Sequence, residues 1–374
     1  MSRDKYTKQA KRWVIKIGSA LLTKDGKGLD YSAIQDWSKQ IAKLRQKNIE
    51  IILVSSGSVA EGMSRMGWTK RPDSLAELQA AAAIGQTGLI EAYENQFKQY
   101  QIQAAQILLT HDDVSNRRRY LNARNTLRTL LKLKALPIIN ENDTVALEEM
   151  RLGDNDTLAA LAANLIEADL LVILTDQDGL YNKDPRHHDD AELISEESAN
   201  NSDLSKFVGE IATTLGSGGM ATKLTAAKRA AHSGCATVIA SGRESEVLLR
   251  ISQGESIGTL LTPENTAITA RKQWIASQVQ ASGTLYLDEG ASLAIQNNGT
   301  SLLPIGVIKS EGQFKRGDVV DCKNHSDEII ARGVINYSDP EVSLLCQKPS
   351  GMINEILGYL GETEVIHRDN LVVL

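Results

Sequence analysis

Two acidic segments and two lysines are the residues of this chain whose types and spacing could do chemistry. Asn140-Glu141-Asn142-Asp143 and Gly153-Asp154-Asn155-Asp156-Thr157 each crowd carboxylates and amides into a turn, and the second runs straight into an apolar helical pattern. Side-chain acceptors grouped in this way suit a site that holds an ammonium group and organises cations. Asp and Asn also favour turns and helix N-caps for local reasons, so neither cluster decides alone. Lys16 interrupts the apolar run Trp13–Ile17 just before Gly18-Ser19. An unpaired buried ammonium is costly, so Lys16 is expected near the open end of a strand, against an anion. The plainer alternative is an edge-strand lysine facing water.

Lys223 follows a glycine cluster that almost fits two nucleotide motifs. Gly216-Ser217-Gly218-Gly219-Met220-Ala221 satisfies GxGxxA, but the preceding segment 196–210 is polar and rich in turn formers rather than a strand. No acid stands at the expected offset at a strand end, so the dinucleotide reading fails. Thr222 and Leu224 flank Lys223 where a phosphate-binding loop of the GxxxxGK[ST] type needs Gly and Ser or Thr. The physical content survives both rejections. Small residues let backbone N–H groups approach a phosphate at a helix N-terminus, and Lys223 adds a charge beside them. The alternative is a mobile glycine loop with a solvated lysine. Ser56-Gly57 could likewise hold a carboxylate through a hydroxyl and a backbone N–H, or could simply be a βα turn with a helix N-cap.

Elements that must position these residues follow from periodicity. Trp13–Ile17, Ile51–Val54, Gln106–Leu109, Leu170–Leu174 and Ala236–Ala240 read as buried strands, with Pro137-Ile138-Ile139 leading into the first acidic turn. Between them, helices are expected from an Asp30 cap through Ile34, Trp37, Ile41 and Leu44, and over 74–100, 116–134, 156–168 and 219–233. This rhythm predicts an α/β fold, a three-layer αβα sandwich with a mainly parallel sheet. Ligands of such sheets sit beyond the carboxyl ends of the strands, which here carry Gly18-Ser19, Ser55 to Ser58, Asn140 to Asp143 and Thr175-Asp176. The rhythm stops near residue 262. Short β-like runs at 285–287, 306–308, 318–320 and 329–330 predict a small, strongly bent β domain or barrel.

Composition sets outer bounds. A chain of 374 residues suggests two domains. Its 42% hydrophobic and 24% charged content is that of a soluble globular protein, and a net charge of −6 gives no global basic field for nucleic acid. Cys235, Cys322 and Cys346 are odd in number and lack CxxC spacing, which argues against a disulfide framework or a zinc site and fits a reducing cytoplasm. Lys16 breaks the first apolar run, so no signal peptide is expected, and no stretch approaches the roughly 20 apolar residues of a membrane span.

In their order along the chain, Val14-Ile15-Lys16-Ile17-Gly18-Ser19, Val54-Ser55-Ser56-Gly57, Asn140-Glu141-Asn142-Asp143, Gly153-Asp154-Asn155-Asp156, Leu174-Thr175-Asp176-Gln177-Asp178-Gly179-Leu180-Tyr181 and Gly218-Gly219-Met220-Ala221-Thr222-Lys223 resemble the glutamate 5-kinases of the amino acid kinase family. The resemblance divides the chain into a kinase domain (1–262), a linker (263–281) and a PUA domain with a tail (282–374), the PUA domain a small β-barrel-like unit. Ser217 stands where threonine is usual and Ser58 where alanine is common, both conservative departures. The resemblance implies that Lys16 and Lys223 contact the transferring phosphoryl group from opposite sides, with Asp156 holding both. It implies Ser56, Gly57, Asp143 and Asn155 as glutamate ligands, with Asn140 and Asp154 nearby. It gives the nucleotide Gly18, Ser19, Thr175, Asp176 and Ser217-Gly218-Gly219-Met220-Ala221-Thr222-Lys223. ATP would bring Mg²⁺ with it, without a protein metal cage. L-Glutamate and ATP would give glutamyl 5-phosphate, the first step of proline synthesis, under feedback by proline. The resemblance also implies a homo-oligomer, a dimer or tetramer, handing product to glutamyl phosphate reductase.

The chemistry agrees with this inventory. A side-chain carboxylate is ionised at pH 7 and needs no general base, so the barrier is bringing an anion to a polyanion. Lysines, a glycine loop and Mg²⁺ answer that need. A histidine does not, and His187-His188 fall in a polar loop. Relatives that phosphorylate aspartate, N-acetylglutamate, carbamate or UMP are the rival enzymes; only a free amino acid needs acceptors for an ammonium group. RNA binding through the C-terminal domain is the other rival. Residues 281–360 hold six Lys/Arg against ten Asp/Glu, which suits a phosphate backbone poorly, Lys315-Arg316 being the one local basic patch. The segment 144–153 is the expected feedback element, and 182–216 an expected cover over ATP.

Overall fold

The computed structural model describes residues 2–23, 28–110, 113, 117–145, 155–204, 219–264, 281–359 and 361–374. Two compact units divide the chain, 1–267 and 268–374. The expected feedback segment, the expected linker and the stretch before Gly219 fall mostly outside the described residues.

The apolar runs of the first unit form one sheet. Its strands are β1 (Arg12–Ile17), β2 (Glu50–Ser55), β3 (Ala104–Leu109), β4 (Leu136–Glu141), β5 (Leu170–Thr175), β6 (Glu196–Ser198), β7 (Ala236–Ser241) and β8 (Thr259–Thr262), in the order β3-β4-β2-β1-β5-β7-β8-β6. Every neighbouring pair is parallel except β7 with β8. The helices are α1 (Ser2–Thr7), α2 (Ser19–Leu22), α3 (Tyr31–Gln46), α4 (Ser58–Arg65), α5 (Leu75–Lys98), α6 (Arg117–Lys132), α7 (Asn155–Ile166), α8 (Met220–Ala231) and α9 (Val247–Ser252).

Side chains alternate across a strand, and two separate cores result. Trp13, Ile15, Ile17, Ile51, Leu53, Val172 and Leu174 pack with α3, α5 and α9 on one face. Val14, Ile52, Val54, Leu171 and Ile173 pack with α7 and α8 on the other. The three-layer αβα arrangement is therefore present. Strand alternation also sends Lys16, two residues from Val14, toward the face that α7 and α8 cover.

Several expectations are corrected. Ala236–Ala240, the final strand that the sequence predicts before residue 262, is followed by β8, which returns antiparallel beside it. Its short apolar core had no alternation long enough to mark it. The first acidic segment does not begin as a turn: Asn140 and Glu141 are the last residues of β4 and are buried. Helix α4 is absent from the expected helices, but it fits the plainer reading of Ser56-Gly57 as a βα turn with a helix N-cap. Gly57 has φ +102°, a left-handed conformation that glycine adopts without strain, and caps the helix. Gly62 and Gly85 let the backbones of α4 and α5 touch. A Cβ built on Gly85 would stand 1.8 Å from the Ser58 carbonyl oxygen, and one on Gly62 equally close to that of Ala81.

In the second unit β9 (Gly283–Leu287), β10 (Val307–Gly312), β11 (Val319–Lys323), β12 (Ile329–Val334) and β13 (Leu371–Val373) form a sheet in the order β10-β9-β11-β12-β13. Its pairs are antiparallel except β9 with β11, and register shifts occur in β10 and β11. Helices α10 (Glu289–Asn298), α11 (Asp339–Leu345) and α12 (Ile353–Leu357) were not foreseen among the β-like runs. Leu285, Val320, Ile330, Tyr337, Leu345 and Ile366 belong to its separate core. Its cations are largely matched by acids: Lys309 with Glu311 at 2.6 Å, Lys323 with Asp327 at 3.0 Å, Arg332 with Asp321 at 2.6 Å and Arg316 with Glu362 at 3.6 Å. No helix among the described residues is long and apolar enough to cross a membrane.

Gly85→Ala tests the close approach of α4 and α5. The added methyl meets backbone rather than a flexible side chain, so it should cost about 1–3 kcal/mol, read as a lower denaturant midpoint. An unchanged midpoint would show that the two helices are not locked at this point.

Candidate active site

Parallel pairing brings the strand ends to one edge. Ile17 of β1 is in register with Ser55 of β2 and Leu174 of β5, and β2 is flanked in turn by β4. Gly18 and Ser56, which follow their strands, and Asn140 and Thr175, at the carboxyl ends of theirs, therefore line one edge of the sheet. Gly18 passes very close to β5, donating its N–H to the Leu174 carbonyl at 3.1 Å; a Cβ there would stand 3.2 Å from that oxygen.

Asp156 is fully buried at the start of α7, between the two lysines. Lys16 Nζ lies 2.5 Å from its Oδ1 and Lys223 Nζ 3.0 Å from its Oδ2. Thr222 Oγ1 adds a hydrogen bond to Oδ2 at 3.1 Å. Both lysines are buried too. Burial alone would raise the carboxyl's pKa, but Lys16 and then Lys223 outweigh it and hold Asp156 below the ordinary carboxylate value. Two ammonium groups against one carboxylate leave a net positive charge. That charge sits at the N-terminus of α7, with Lys223 in the first turns of α8, so the N-terminal ends of two helix dipoles add to it. This arrangement suits the oxygens of a polyphosphate.

A second cluster is built from amides and hydroxyls. Asn155 Nδ2 lies 2.8 Å from Ser55 O, 3.0 Å from Ser56 Oγ and 2.8 Å from Asn140 Oδ1. Asn140 Nδ2 donates to Ser58 Oγ at 3.3 Å and to Gln86 Oε1 at 2.8 Å. Ser58 Oγ in turn donates to Asp143 Oδ2 at 3.5 Å. Tyr93 on α5 shares a 3.0 Å hydrogen bond with Ser55 and ties the end of β2 from the other face. The ends of β2 and β4 and the starts of α4 and α7 are thus cross-linked by polar side chains.

On the other flank, Thr175 Oγ1 donates to Asp176 Oδ1 at 3.1 Å at the end of β5. Ser19 opens α2, and Gly219 is the extended N-cap of α8, followed by Met220, Ala221, Thr222 and Lys223 in its first turns. Among the described residues, nothing lies within 4 Å of a Cβ built on Gly219, so this helix start is open. Asp154, Ser217 and Gly218 lie outside the described residues.

Family models match the chain in two places, the amino acid kinase family over residues 11–241 and the PUA domain over 283–357. The chain belongs to the amino acid kinase family. Proteins named glutamate 5-kinase are similar to it almost end to end. That of Thioalkalivibrio sulfidiphilus is 58% identical over 98% of both chains, that of Nitrosococcus oceani 57% over 98% of both, and that of Methylococcus capsulatus 57% over 97% of both. The resemblance drawn from the motif order holds, PUA domain included. The chain is a phosphotransferase, with ATP as its co-substrate.

Tyr93 and Gln86 of this kinase's polar network are not singled out by the sequence, and Ser58 is named there only as part of a turn and a conservative departure. The Ser58 hydroxyl nonetheless joins Asn140 to Asp143. Gln86 lies inside an Ala-rich helix far from any motif, where only tertiary packing gives it a partner.

Asp156→Asn should destabilise the protein by about 3–5 kcal/mol at pH 7, the cost of leaving buried charges uncompensated. The sign with pH follows from the depressed pKa: the carboxylate stabilises the fold above its ordinary value, and this is lost as pH falls through the lower folded value. The stability gap between wild type and variant should therefore shrink in acid and widen toward neutrality, as read by denaturant titration. A gap independent of pH would remove the carboxylate from this role.

Proposed function

We propose that the chain transfers the γ-phosphoryl group of ATP to the side-chain carboxylate of L-glutamate, giving L-glutamyl 5-phosphate and ADP, the first step of proline synthesis. The observation that carries the proposal is the buried, net-positive Lys16–Asp156–Lys223 group beside a network of amides, hydroxyls and an acid. Three relatives named glutamate 5-kinase at 57–58% identity support the choice of acceptor.

A carboxylate oxygen attacks the γ-phosphorus as the bond to the β-phosphate oxygen breaks, and no proton need move. Lys16 and Lys223 stabilise the charge on the equatorial phosphoryl oxygens, and Asp156 keeps both ammonium groups at fixed positions. Lysines suit phosphate oxygens rather than a resident cation, so Mg²⁺ belongs with the nucleotide, where it neutralises charge. Asp143 takes the substrate's ammonium group. Ser56, Gly57 and Asn155 place its carboxylates at the start of α4, with Asn140 and Asp154 behind them. Gly18, Ser19, Thr175, Asp176 and residues 217–223 hold the nucleotide. Feedback by proline, competing beside Asp143, belongs to the same reading, as do a homo-oligomer, handover of the labile product to a reductase, and a cytoplasmic location.

Acyl phosphate trapped by hydroxylamine tests the reaction directly. Product from MgATP with glutamate, and not with aspartate or N-acetylglutamate, is expected, and proline should suppress it. Product from another acid instead would overturn the acceptor assignment.

Lys16→Ala and Lys223→Ala should each lower kcat about 100-fold or more while changing either KM far less. Each variant leaves Asp156 paired with the remaining lysine, so the fold should persist. Normal turnover in either would remove that lysine from catalysis. Asp143→Ala should instead raise the KM for glutamate with little change in that for ATP; an unchanged glutamate KM would be evidence against its contact with the ammonium group.

A further inference from the structure

Gln86 lies midway along α5, outside every motif that the chain's order of strands and turns picks out. Its Oε1 accepts from Asn140 Nδ2 at 2.8 Å. The same side chain borders a cavity of about 300 Å³ between α5 and β3, lined also by Glu141, Asn142 and Asp143. It therefore stands between that cavity and the amide network.

Donor and acceptor directions give the position its meaning. An amide side chain has a donor end and an acceptor end, and turning it over exchanges them. Asn140 Oδ1 accepts from Asn155 Nδ2 at 2.8 Å and from its neighbour's backbone, Glu141 N, at 2.9 Å. Its Nδ2 donates to Ser58 Oγ and Gln86 Oε1. A turned amide would set its NH₂ against two other donors. At Ser58 the choice propagates: a hydroxyl that accepts from Asn140 points its own hydrogen at Asp143, 3.5 Å away. At Asn155 it propagates the other way, toward Ser56 Oγ at 3.0 Å. Ser58 can reverse by rotating its hydroxyl; a carbonyl oxygen cannot become a donor. The Gln86 Oε1 is thus an obligate acceptor facing the Asn140 NH₂.

We infer that Gln86 is a positioning residue for the acceptor acid: it fixes the amide of Asn140 and, through Asn155 and Ser58, the aim of Ser56 and Asp143. The inference rests on the substrate side proposed above. Loss of the Gln86 acceptor leaves Asn140 Nδ2 with the longer 3.3 Å bond to Ser58 Oγ and opens that end of the amide to water from the cavity, so the side chain is held less firmly.

Full-length wild type, Gln86→Leu and Gln86→Glu are compared by steady-state kinetics and thermal melting, using whichever acid the wild type phosphorylates. A wrong substrate assignment then shows in the wild type and leaves this comparison intact. Gln86→Leu should raise the KM for the acid about tenfold, the scale of one lost buried hydrogen bond, and leave the KM for ATP within about twofold. Gln86→Glu keeps an acceptor oxygen at the same reach and should restore the acid KM to within about threefold of wild type. An unchanged acid KM in Gln86→Leu overturns the inference. So does a parallel rise in both KM values with a lowered melting temperature that Gln86→Glu does not reverse, since that pattern belongs to a packing role alone.

Discussion

One buried carboxylate between two buried ammonium groups is the interaction on which the site depends. Asp156 has no exposed surface, and Lys16 and Lys223 have almost none. Any of the three buried alone would be driven to lose its charge. Together two ammonium groups and one carboxylate compensate one another, with one positive unit in surplus at the edge of the sheet. The fold makes this possible. Lys16 rides on the central strand β1, Asp156 on the first turn of α7 and Lys223 on α8, and the two helices pack on the same face of the sheet. The charge is held by elements on a shared core, so its position is as fixed as the core itself.

The second cluster works by direction rather than by charge. Asn155, Asn140, Ser56, Ser58 and Gln86 form a chain in which the polarity of one hydrogen bond sets that of the next. Such networks in a low-dielectric setting are costly when incomplete and specific when complete. Asn155 and Asp156 are adjacent residues, one in each cluster. The start of α7 therefore couples the amide network to the lysine pair through a single helical turn.

The second unit is a separate matter of charge. Its sheet has its own core, and four of its cations lie against acids on the same unit. Its basic groups are thus partly neutralised locally, in keeping with the net-acidic composition of residues 281–360.

The sequence by itself determined the layers, most strands and the identity of the chemical groups. Short apolar runs bounded by turn formers read as buried strands, and alternation put Lys16 on the face opposite Ile15 and Ile17. The order of Lys16, the Ser56 turn, the two acidic segments and Lys223 was legible as a family resemblance. The family resemblance implied that Asp156 holds both lysines; the tertiary structure alone supplied the geometry of that partnership and the partners of Asn140. Lys16, Asp156 and Lys223 are far apart along the chain, and no local rule pairs an ammonium with a particular distant carboxylate. Helix α4 was legible only in the N-cap reading of Ser56-Gly57, whereas the left-handed cap and the contact with Gly85 make Gly57 and Gly62 necessary to it. The short strand β8 was hidden because four residues that return antiparallel between β7 and β6 leave little periodicity. Gln86 was invisible for the deepest reason: a lone amide in an Ala-rich helix acquires a role only when packing sets it opposite another buried amide, and that opposition is a property of the folded molecule.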